Sequence, residues 1–338
     1  MENHINCAQL NDKPKLVTIG GGTGMSILLR GIKKYTPNIT AIVTVADDGG
    51  SSGVLREDLG MLAPGDIRSC LLALANTEPT MEKLLQYRFD NGSLKNHNFG
   101  NLFIAAMVGI YGSFEKAVQE TSNVLAITGK VYPMTLENVQ LNAELENGNL
   151  VQGESRIPEE VVRCGSRIKR IYMNPKITNP LEETITAIND ADLIVLGPGS
   201  LYTSVIPNLL VNNIVDKIYK ACAPKVYISN VMTQPGETDG FGVLEHVQAI
   251  LNHSRVDLLD YVIANTEEIP KDTLNNYITD GSRPVVLNDN DRDILKEMGI
   301  RLVEDRLIDI KKNYIRHDND HLSQLLMRLA GQAEIGYA

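Results

Sequence analysis

Short runs of apolar, mostly β-branched residues alternate along this chain with longer amphipathic segments. Near the start, Lys15–Ile19 and Ile39–Val45 predict two buried strands, and Met25–Tyr35 between them predicts a helix. The alternation returns in the second half, where strands are predicted at Leu193–Leu196 and Lys225–Ser229. Strands that alternate with helices in this way are typical of a doubly wound, parallel α/β sheet.

The segment 131–174 departs from this pattern. Val139–Leu145 and Arg167–Met173 alternate apolar and polar residues, as half-buried strands do. Between them, Asn147-Gly148 is the strongest short hairpin signal in the chain. We therefore predict a small antiparallel β insertion rather than another strand–helix unit.

Local signals predict several element boundaries. Asp66 is expected to cap a helix over Ile67–Ala75, and Asn179, followed by Pro180, is expected to cap another. One helix is predicted from about Ser204 to Ala221. Further strands are predicted at Tyr261–Ala264, Pro284–Leu287 and Ile300–Val303.

Three glycine-rich loops follow predicted strands. They are Gly20-Gly21-Gly22-Thr23-Gly24, Asp47-Asp48-Gly49-Gly50-Ser51-Ser52-Gly53 and Gly197-Pro198-Gly199-Ser200. A strand, a glycine loop and a helix N-terminus together expose backbone N–H groups to an anion. The loops therefore predict a phosphorylated ligand, with a nucleotide favoured, and a close-packed turn is the alternative at each of them. If the sheet reverses direction at the third loop, the first and third loops flank one crevice.

The first loop matches neither of the common phosphate motifs. A dinucleotide fingerprint would need glycine at position 25 or 27, where the chain has Met25 and Ile27. No Gly-Lys-Ser/Thr follows, which excludes the P-loop pattern. An NAD-dependent enzyme is therefore disfavoured.

The second loop carries the acidic candidates. Asp47 and Asp48 could accept hydrogen bonds from ribose or sugar hydroxyls, or hold Mg²⁺ through water. Ser51, Ser52 and the glycine N–H groups could hold a phosphate. A plain surface turn is less favoured, because a strand-to-helix turn rarely needs seven such residues.

Other polar candidates lie outside the glycine loops. Asn and Gln side chains that follow the strand Lys225–Ser229 suit recognition of a base or an amide. His97 could act as a general acid or base, although capping and packing are commoner roles. The remaining candidates are Asn230, Thr233, Gln234 and Glu237 after that strand, and Arg56, Arg68 and Arg88 as phosphate partners that could equally be solvated or ion-paired.

Composition narrows the class of protein. The formal net charge is −10 and no basic run interrupts it, which argues against a nucleic-acid binder. The four cysteines form no C-x-x-C pair, so reduced thiols are expected. Neither a signal peptide nor a membrane-spanning stretch is evident, and a cytoplasmic location is predicted.

The motifs together resemble the YvcK (gluconeogenesis factor) proteins of the CofD-like superfamily. The resemblance covers about residues 14 to 325, which we take as one domain after a polar tail, 1–13, with the β-rich insertion at 131–174. One departure is Asn96, where glycine is expected. The matching motifs are Ile19–Gly24, Thr44–Gly53, Pro64–Arg68, His97–Asn101, Gly197–Ser204 and Asn230–Thr238.

The resemblance implies a three-layer α/β/α, Rossmann-like fold and binding of UDP-sugars such as UDP-N-acetylglucosamine. It also implies a bacterial, cytoplasmic role in cell shape and wall synthesis during growth on gluconeogenic carbon sources. The more distant CofD branch transfers a 2-phospholactate group with Mg²⁺. The expected ligand-binding residues are Gly20, Gly21, Gly22, Thr23, Gly24, Asp47, Asp48, Gly50, Ser51, Ser52, Arg68, Asn101, Gly197, Gly199, Ser200, Asn230 and Thr233.

Two functions follow from these residues. The first is a UDP-sugar-binding regulatory protein without established catalysis, because no convincing nucleophile stands out. The second is a Mg²⁺-dependent transferase that uses Asp47, Asp48 and His97, with the two aspartates as metal ligands. No other cofactor is predicted, a homo-oligomer stays open, and the sequence specifies no protein partner.

Overall fold

A computed structural model describes residues 13–311 and 314–332 of the chain. Its centre is a seven-stranded parallel sheet flanked by helices, which confirms the predicted three-layer, Rossmann-like fold. The strands are β1 (Leu16–Gly20), β2 (Ile39–Val43), β3 (Lys130–Pro133), β4 (Gln140–Leu145), β5 (Leu150–Gln152), β6 (Ile168–Asn174), β7 (Leu193–Leu196), β8 (Lys225–Ile228), β9 (Tyr261–Asn265), β10 (Arg301–Asp305), β11 (Ile308–Lys311) and β12 (Tyr314–His317). The helices are α1 (Gly22–Ile32), α2 (Gly50–Leu59), α3 (Gly65–Leu74), α4 (Pro79–Gln86), α5 (Phe99–Tyr111), α6 (Phe114–Val124), α7 (Arg156–Cys164), α8 (Glu182–Asn189), α9 (Ile206–Leu209), α10 (Ile214–Lys220), α11 (Val243–Asn252), α12 (Lys271–Thr279), α13 (Asp289–Glu297) and α14 (Asn319–Gln332), with a π-helical turn at Leu201–Val205.

The strand order of the main sheet creates a switch point beside β1. The order is β10-β9-β8-β7-β1-β2-β3. From β1, inside the sheet, the chain adds β2 and then β3 at one edge. It then returns to the other side of β1, where β7 pairs with it. Strands β1 and β7 are buried along their whole length, as expected where helices cover both faces. Their carboxyl ends diverge into connections on opposite sides, which opens a crevice.

The predicted antiparallel insertion is present with altered bounds. Strands β4, β5 and β6 form a three-stranded antiparallel sheet, and the Asn147-Gly148 turn joins β4 to β5. The strand at Lys130–Pro133 is not part of it, because this strand pairs in parallel with β2 as the edge of the main sheet. The insertion also contains helix α7, which the alternating pattern did not predict.

Several local predictions are wrong. Asp66 lies inside the first turn of α3, which begins one residue earlier. Asn179 does not cap α8, which begins only at Glu182, and its side chain bonds Glu137 instead. The single helix predicted over 204–221 is broken into a π-helical turn, α9 and α10. The strand predicted at Pro284–Leu287 is reduced to an isolated bridge between Met232 and Pro284.

Within the described ranges, no helix is both long and apolar enough to cross a membrane.

Candidate functional site

The carboxyl ends of β1, β7 and β8 open into a cavity of about 350 Å³. Two of the three glycine loops line it from opposite sides, Gly21–Gly24 after β1 and Pro198–Ser200 after β7. The predicted crevice between these loops is therefore present at the switch point, where open α/β sheets bind ligands. We call this cavity the crevice.

The two loops touch through their backbones. A Cβ atom added to Gly24 would lie 2.7 Å from the carbonyl oxygen of Pro198 and 3.2 Å from the Gly199 nitrogen. Behind them, the Asn208 side chain donates to the carbonyl oxygens of Ser204 and Gly20. These contacts hold the loops together and leave the N-terminus of α1 facing the crevice, with no acidic residue in its first turn. Such a helix end attracts an anion.

The remaining wall of the crevice carries side-chain amides. The Gln234 Nε2 group donates to the Ser200 hydroxyl at 2.8 Å, which links the loop after β8 to the loop after β7. The Asn230 Oδ1 and Gln234 Oε1 atoms are buried, and neither has a hydrogen-bond partner among the described residues. Buried acceptors are rarely left unpaired, so these two can accept N–H or O–H groups from a ligand.

The C-terminal hairpin completes the crevice. Arg316 and His317 on β12 line it together with Tyr277 on α12. The His317 Nε2 group donates to the Ser229 carbonyl at 3.1 Å, and burial lowers the pKa of this histidine to about 4. His317 is therefore neutral near pH 7, and Arg316 is the charged group of the hairpin in this wall.

A cluster of carboxyl groups lies around the Asp47-Asp48 loop. Burial raises the pKa of Asp66 to about 7, with a smaller contribution from the charge of Asp47, and the Gly22 N–H donates to this carboxyl. Burial likewise raises the pKa of Glu237 to about 7, while the Thr203 hydroxyl bonds it at 3.2 Å. These groups are therefore largely protonated at slightly acidic pH.

Glu154 from the insertion joins this cluster. Burial, followed by the negative charges of Asp47, Asp48, Glu237 and Asp66, raises its pKa to about 8. Carboxyl groups that hold protons near neutrality can both donate and accept hydrogen bonds, which suits sugar hydroxyls. We call Asp47, Asp48, Asp66, Glu154 and Glu237 the acidic cluster.

Asp48 anchors the insertion to the second glycine loop. Its two oxygens accept the backbone N–H groups of Glu154 at 3.0 Å and Ser155 at 2.9 Å. Both donors lie in the turn that precedes α7, and the contact with Ser155 is at the surface. Asp48 thus positions Glu154 beside the other carboxyl groups.

Replacing Asp48 with alanine is expected to lower the free energy of unfolding by about 2 to 3 kcal/mol, since two charge-assisted hydrogen bonds are lost. Hydrogen exchange at the Glu154 and Ser155 amides should become faster. Asp58→Ala, which removes an exposed carboxylate from α2, is the control and should leave both measurements almost unchanged. Unaltered stability and exchange in Asp48→Ala would refute the anchoring role.

Two other residues predicted as ligand partners have structural roles. Arg56 donates to the carbonyls of Ala46, Asp47 and Val139, so it braces the loop and is not a free phosphate partner. Thr233 exchanges hydrogen bonds with the backbone of Arg283. Both side chains therefore hold the backbone of neighbouring loops in place.

The loop that contains His97 packs against the second glycine loop. The Ser51 hydroxyl accepts the Asn98 N–H at 3.2 Å and lies 3.5 Å from the His97 Nδ1 atom. Asn98 caps α5 by accepting the Asn101 N–H, and the Asn101 Oδ1 atom is buried without a partner in the described ranges. Asn96 has φ of +70°, the left-handed conformation that explains why glycine is expected there.

The sequence patterns predict Asp66 as a helix cap and do not single out Glu154, Tyr277, Arg316 or His317. Glu154 enters the site from the insertion, Tyr277 from α12 and the other two from the C-terminal hairpin, all far from the glycine loops in sequence. A local motif carries no information on such contacts.

The carboxyl groups of the described residues do not by themselves supply three ligands to a metal ion. No group of three or more His, Cys, Asp or Glu residues in 13–311 and 314–332 is arranged to hold a metal ion. Both oxygens of Asp48 already accept backbone N–H groups, and one oxygen of Asp47 accepts the Gly49 N–H. We therefore derive no chemical step through a metal.

Comparison with known proteins identifies the family. The family described as "2-phospho-L-lactate transferase CofD" matches residues 16–308. The chain is 57% identical to a protein of Thermoanaerobacterium thermosulfurigenes over 324 residues, which cover 96% of this chain and 99% of that protein. It is 49% identical to the "Gluconeogenesis factor" of Bacillus subtilis over 321 residues, with 95% and 99% covered.

A solved structure shows the same fold. The crystal structure of a member of the UPF0052 family from Bacillus halodurans superposes with a TM-score of 0.89 at 44% sequence identity. The match covers 93% of this chain and 99% of the other. These findings confirm the resemblance that the glycine-loop motifs predicted. The chain therefore belongs to the CofD family, in the group that includes the gluconeogenesis factors.

Proposed function

We propose that this protein binds a UDP-sugar, UDP-N-acetylglucosamine or a close analogue, in the crevice and acts as a regulatory gluconeogenesis factor. The observation that carries the proposal is the pair of glycine loops at the switch point, faced by two buried amide acceptors. The gluconeogenesis-factor name of the relatives supports the regulatory role. The setting we propose is the bacterial cytoplasm, with a role in cell shape during gluconeogenic growth.

The crevice and the adjoining acidic cluster offer partners for each part of such a ligand. The diphosphate would accept N–H groups of the Gly21–Gly24 loop at the N-terminus of α1 other than that of Gly22, which already donates to Asp66. The uracil N3–H would donate to the buried oxygen of Asn230 or Gln234. The sugar hydroxyls would meet the acidic cluster, whose protonated and ionised carboxyl groups supply both donors and acceptors.

Calorimetry tests this proposal. UDP-N-acetylglucosamine should bind the wild-type protein, and Asn230→Leu and Gln234→Leu should each weaken binding by about tenfold or more, because a ligand donor loses its partner. Gln119→Leu, an exposed change on α6, is the matched control. Absence of heat with wild-type protein at millimolar ligand would refute the proposal.

The acidic cluster favours a second candidate function, transfer of a phosphorylated group from a nucleotide-activated donor. The family description names a transferase, and three carboxyl groups with pKa values raised to about 7 or 8 lie in the cluster. In such a reaction the acceptor hydroxyl would attack the donor phosphorus, a carboxylate would take the hydroxyl proton, and the nucleotide would leave. Phosphorus NMR of nucleotide donors with alcohol acceptors would show turnover, and turnover that none of Asp47→Asn, Asp66→Asn, Glu154→Gln and Glu237→Gln slows would exclude these carboxylates from it.

A further inference from the structure

A second cavity adjoins the crevice. It has a volume of about 560 Å³ and shares Thr23, Ile27, Arg316 and His317 with the crevice. Its own walls come from α1, α3, α4 and the hairpin of β11 and β12. A volume of this size accommodates a small phosphorylated metabolite. We call it the arginine cavity because Arg30, Arg68 and Arg316 line it.

The charges in the arginine cavity do not cancel. Arg30 pairs with Glu82 at 2.7 Å, and Lys311 pairs with Asp309 at 2.5 Å. Arg68 and Arg316 also line the cavity, and neither forms an ion pair with any residue in 13–311 or 314–332. The described lining therefore carries two positive charges without counter-charges.

Arg68 is the more informative of the two. It is half-buried, its Nε atom is buried without a partner among the described residues, and its side chain donates one long hydrogen bond, to the Ser69 hydroxyl at 3.3 Å. Burial and the nearby Arg88 lower the pKa of Arg68. The carboxyl groups of Asp66 and Asp47 act in the opposite direction, but neither lines the cavity or forms an ion pair with Arg68.

A half-buried guanidinium without an ion-pair partner leaves N–H donors unsatisfied, and an anionic ligand would supply their acceptors. The guanidinium presents five donors in a planar fork that matches the oxygens of a phosphate group. The Thr23, Ser26 and Ser69 side chains also line the cavity and add hydroxyl groups. Arginine and hydroxyl side chains both donate hydrogen bonds to phosphate oxygens.

We propose that the arginine cavity is a second binding site that takes the phosphate group of a phosphorylated small molecule on Arg68 and Arg316. This site is separate from the nucleotide site of the proposed function, and the two meet at Arg316. The protein would then sense or process two phosphorylated ligands side by side, one in each cavity.

The probes for this proposal are inorganic phosphate and a hexose 6-phosphate, with the free hexose as the uncharged control. Calorimetry is performed on the wild-type protein alone and again with the crevice saturated by UDP-N-acetylglucosamine. Both phosphates should bind, the free hexose should not, and the nucleotide sugar should weaken phosphate binding without abolishing it, because the two ligands meet at Arg316. Loss of phosphate binding in the presence of the nucleotide sugar would overturn the proposal, because the two would then share one site.

Substitutions of Arg68 test whether the phosphate binds in the arginine cavity. Arg68→Ala should weaken phosphate binding by about tenfold or more, as expected when charge-assisted hydrogen bonds are lost, and should weaken binding of the nucleotide sugar, for which Arg68 is also an expected ligand-binding residue, by clearly less. Lys34→Ala removes a nearby cation that does not line the cavity, and it should have little effect. Arg68→Lys, which keeps the charge without the fork, should fold and bind phosphate with intermediate affinity, so it replaces Arg68→Ala if that variant does not fold.

The outcome is separable from that of the proposed function. If UDP-N-acetylglucosamine fails to bind, the phosphate titrations of nucleotide-free protein still decide on the second site. If Arg68→Ala weakens both ligands equally, the arginine cavity belongs to the nucleotide site and the proposal fails. If no phosphate binds at millimolar concentration, the proposal also fails while the nucleotide proposal stands.

Discussion

Replacing Gly24 with alanine will weaken the binding of UDP-N-acetylglucosamine by about 10- to 100-fold, the equivalent of roughly 1.5 to 3 kcal/mol. The added Cβ atom would lie 2.7 Å from the Pro198 carbonyl oxygen and 3.0 Å from its carbon. Both are backbone atoms, which cannot turn away as the end of a side chain can. The two glycine loops must therefore separate, and the crevice between them loses its shape.

A helix glycine in open space provides the matched control. Gly109 lies on α5, and a Cβ atom added there meets nothing within 4 Å. Gly109→Ala should leave binding unchanged and should stabilise the protein by up to about 1 kcal/mol, since alanine favours the helix. Both variants are compared by calorimetry and thermal unfolding. Wild-type affinity in a folded Gly24→Ala protein would contradict the importance of the loop contact.

The central strands of the fold could be predicted because burial on both faces of the sheet requires a continuous apolar run in the sequence. The apolar runs that became β1, β7 and β8 are buried on both faces, and burial on both faces is what selects continuous apolar runs. The pattern could not distinguish the strand at Lys130–Pro133 from the insertion that follows it. Whether this strand pairs with β2 or β4 is decided by contacts across the sheet, and its four residues are too few to show a period.

The candidate site was predictable where its residues directly follow a strand of the main sheet. Glycine and aspartate in the loops after β1 and β2 are recognisable because their local conformation requires these residue types, and the amides of Asn230 and Gln234 follow β8 directly. Glu154 and Arg316 look like ordinary surface charges in the sequence. Glu154 gains its place because the insertion packs against Asp48, and Arg316 because the C-terminal hairpin folds onto the crevice, and neither packing event leaves a local signature.

The broken helix after β7 shows a third limit. The residues 204–221 have the apolar content of one long helix, but Pro207 and a left-handed Asn213, with φ of +61°, interrupt it. The interruption allows Asn208 to point its amide at the carbonyls of Gly20 and Ser204. Here the requirement of the site outweighs helix propensity.

The free energy of unfolding should fall by about 2 to 3 kcal/mol between pH 6.5 and pH 8. Asp66 and Glu237, with pKa values near 7, and Glu154, with a pKa near 8, hold protons in the folded protein that the unfolded chain has already released. The folded state therefore binds more protons than the unfolded state throughout this range, and the sign of the linkage makes stability decrease as pH rises. Above pH 8 the decrease should level off as these groups ionise.

The choice of pH range isolates the acidic cluster. Burial lowers the pKa of His317 to about 4, so this residue stabilises the fold increasingly as pH rises from about 4 to the ordinary histidine value of about 6.5, and then no further. Below pH 6.5 the histidine and the carboxyl groups therefore oppose each other. Between pH 6.5 and pH 8 the carboxyl groups dominate, and denaturant unfolding at several pH values measures their contribution directly.

Glu154→Gln tests the assignment of this pH dependence. The variant keeps the shape of the side chain and cannot ionise, so it should be more stable than the wild type at pH 8 by about 1 kcal/mol and should lose stability less steeply with pH. Glu159→Gln, an exposed change on α7, should follow the wild-type curve. If Glu154→Gln and Glu159→Gln behave alike, the proton is not held by Glu154. If the wild-type protein instead gains stability across this range, the carboxyl groups are not crowded together, and the sugar-binding role proposed for the cluster loses its physical basis.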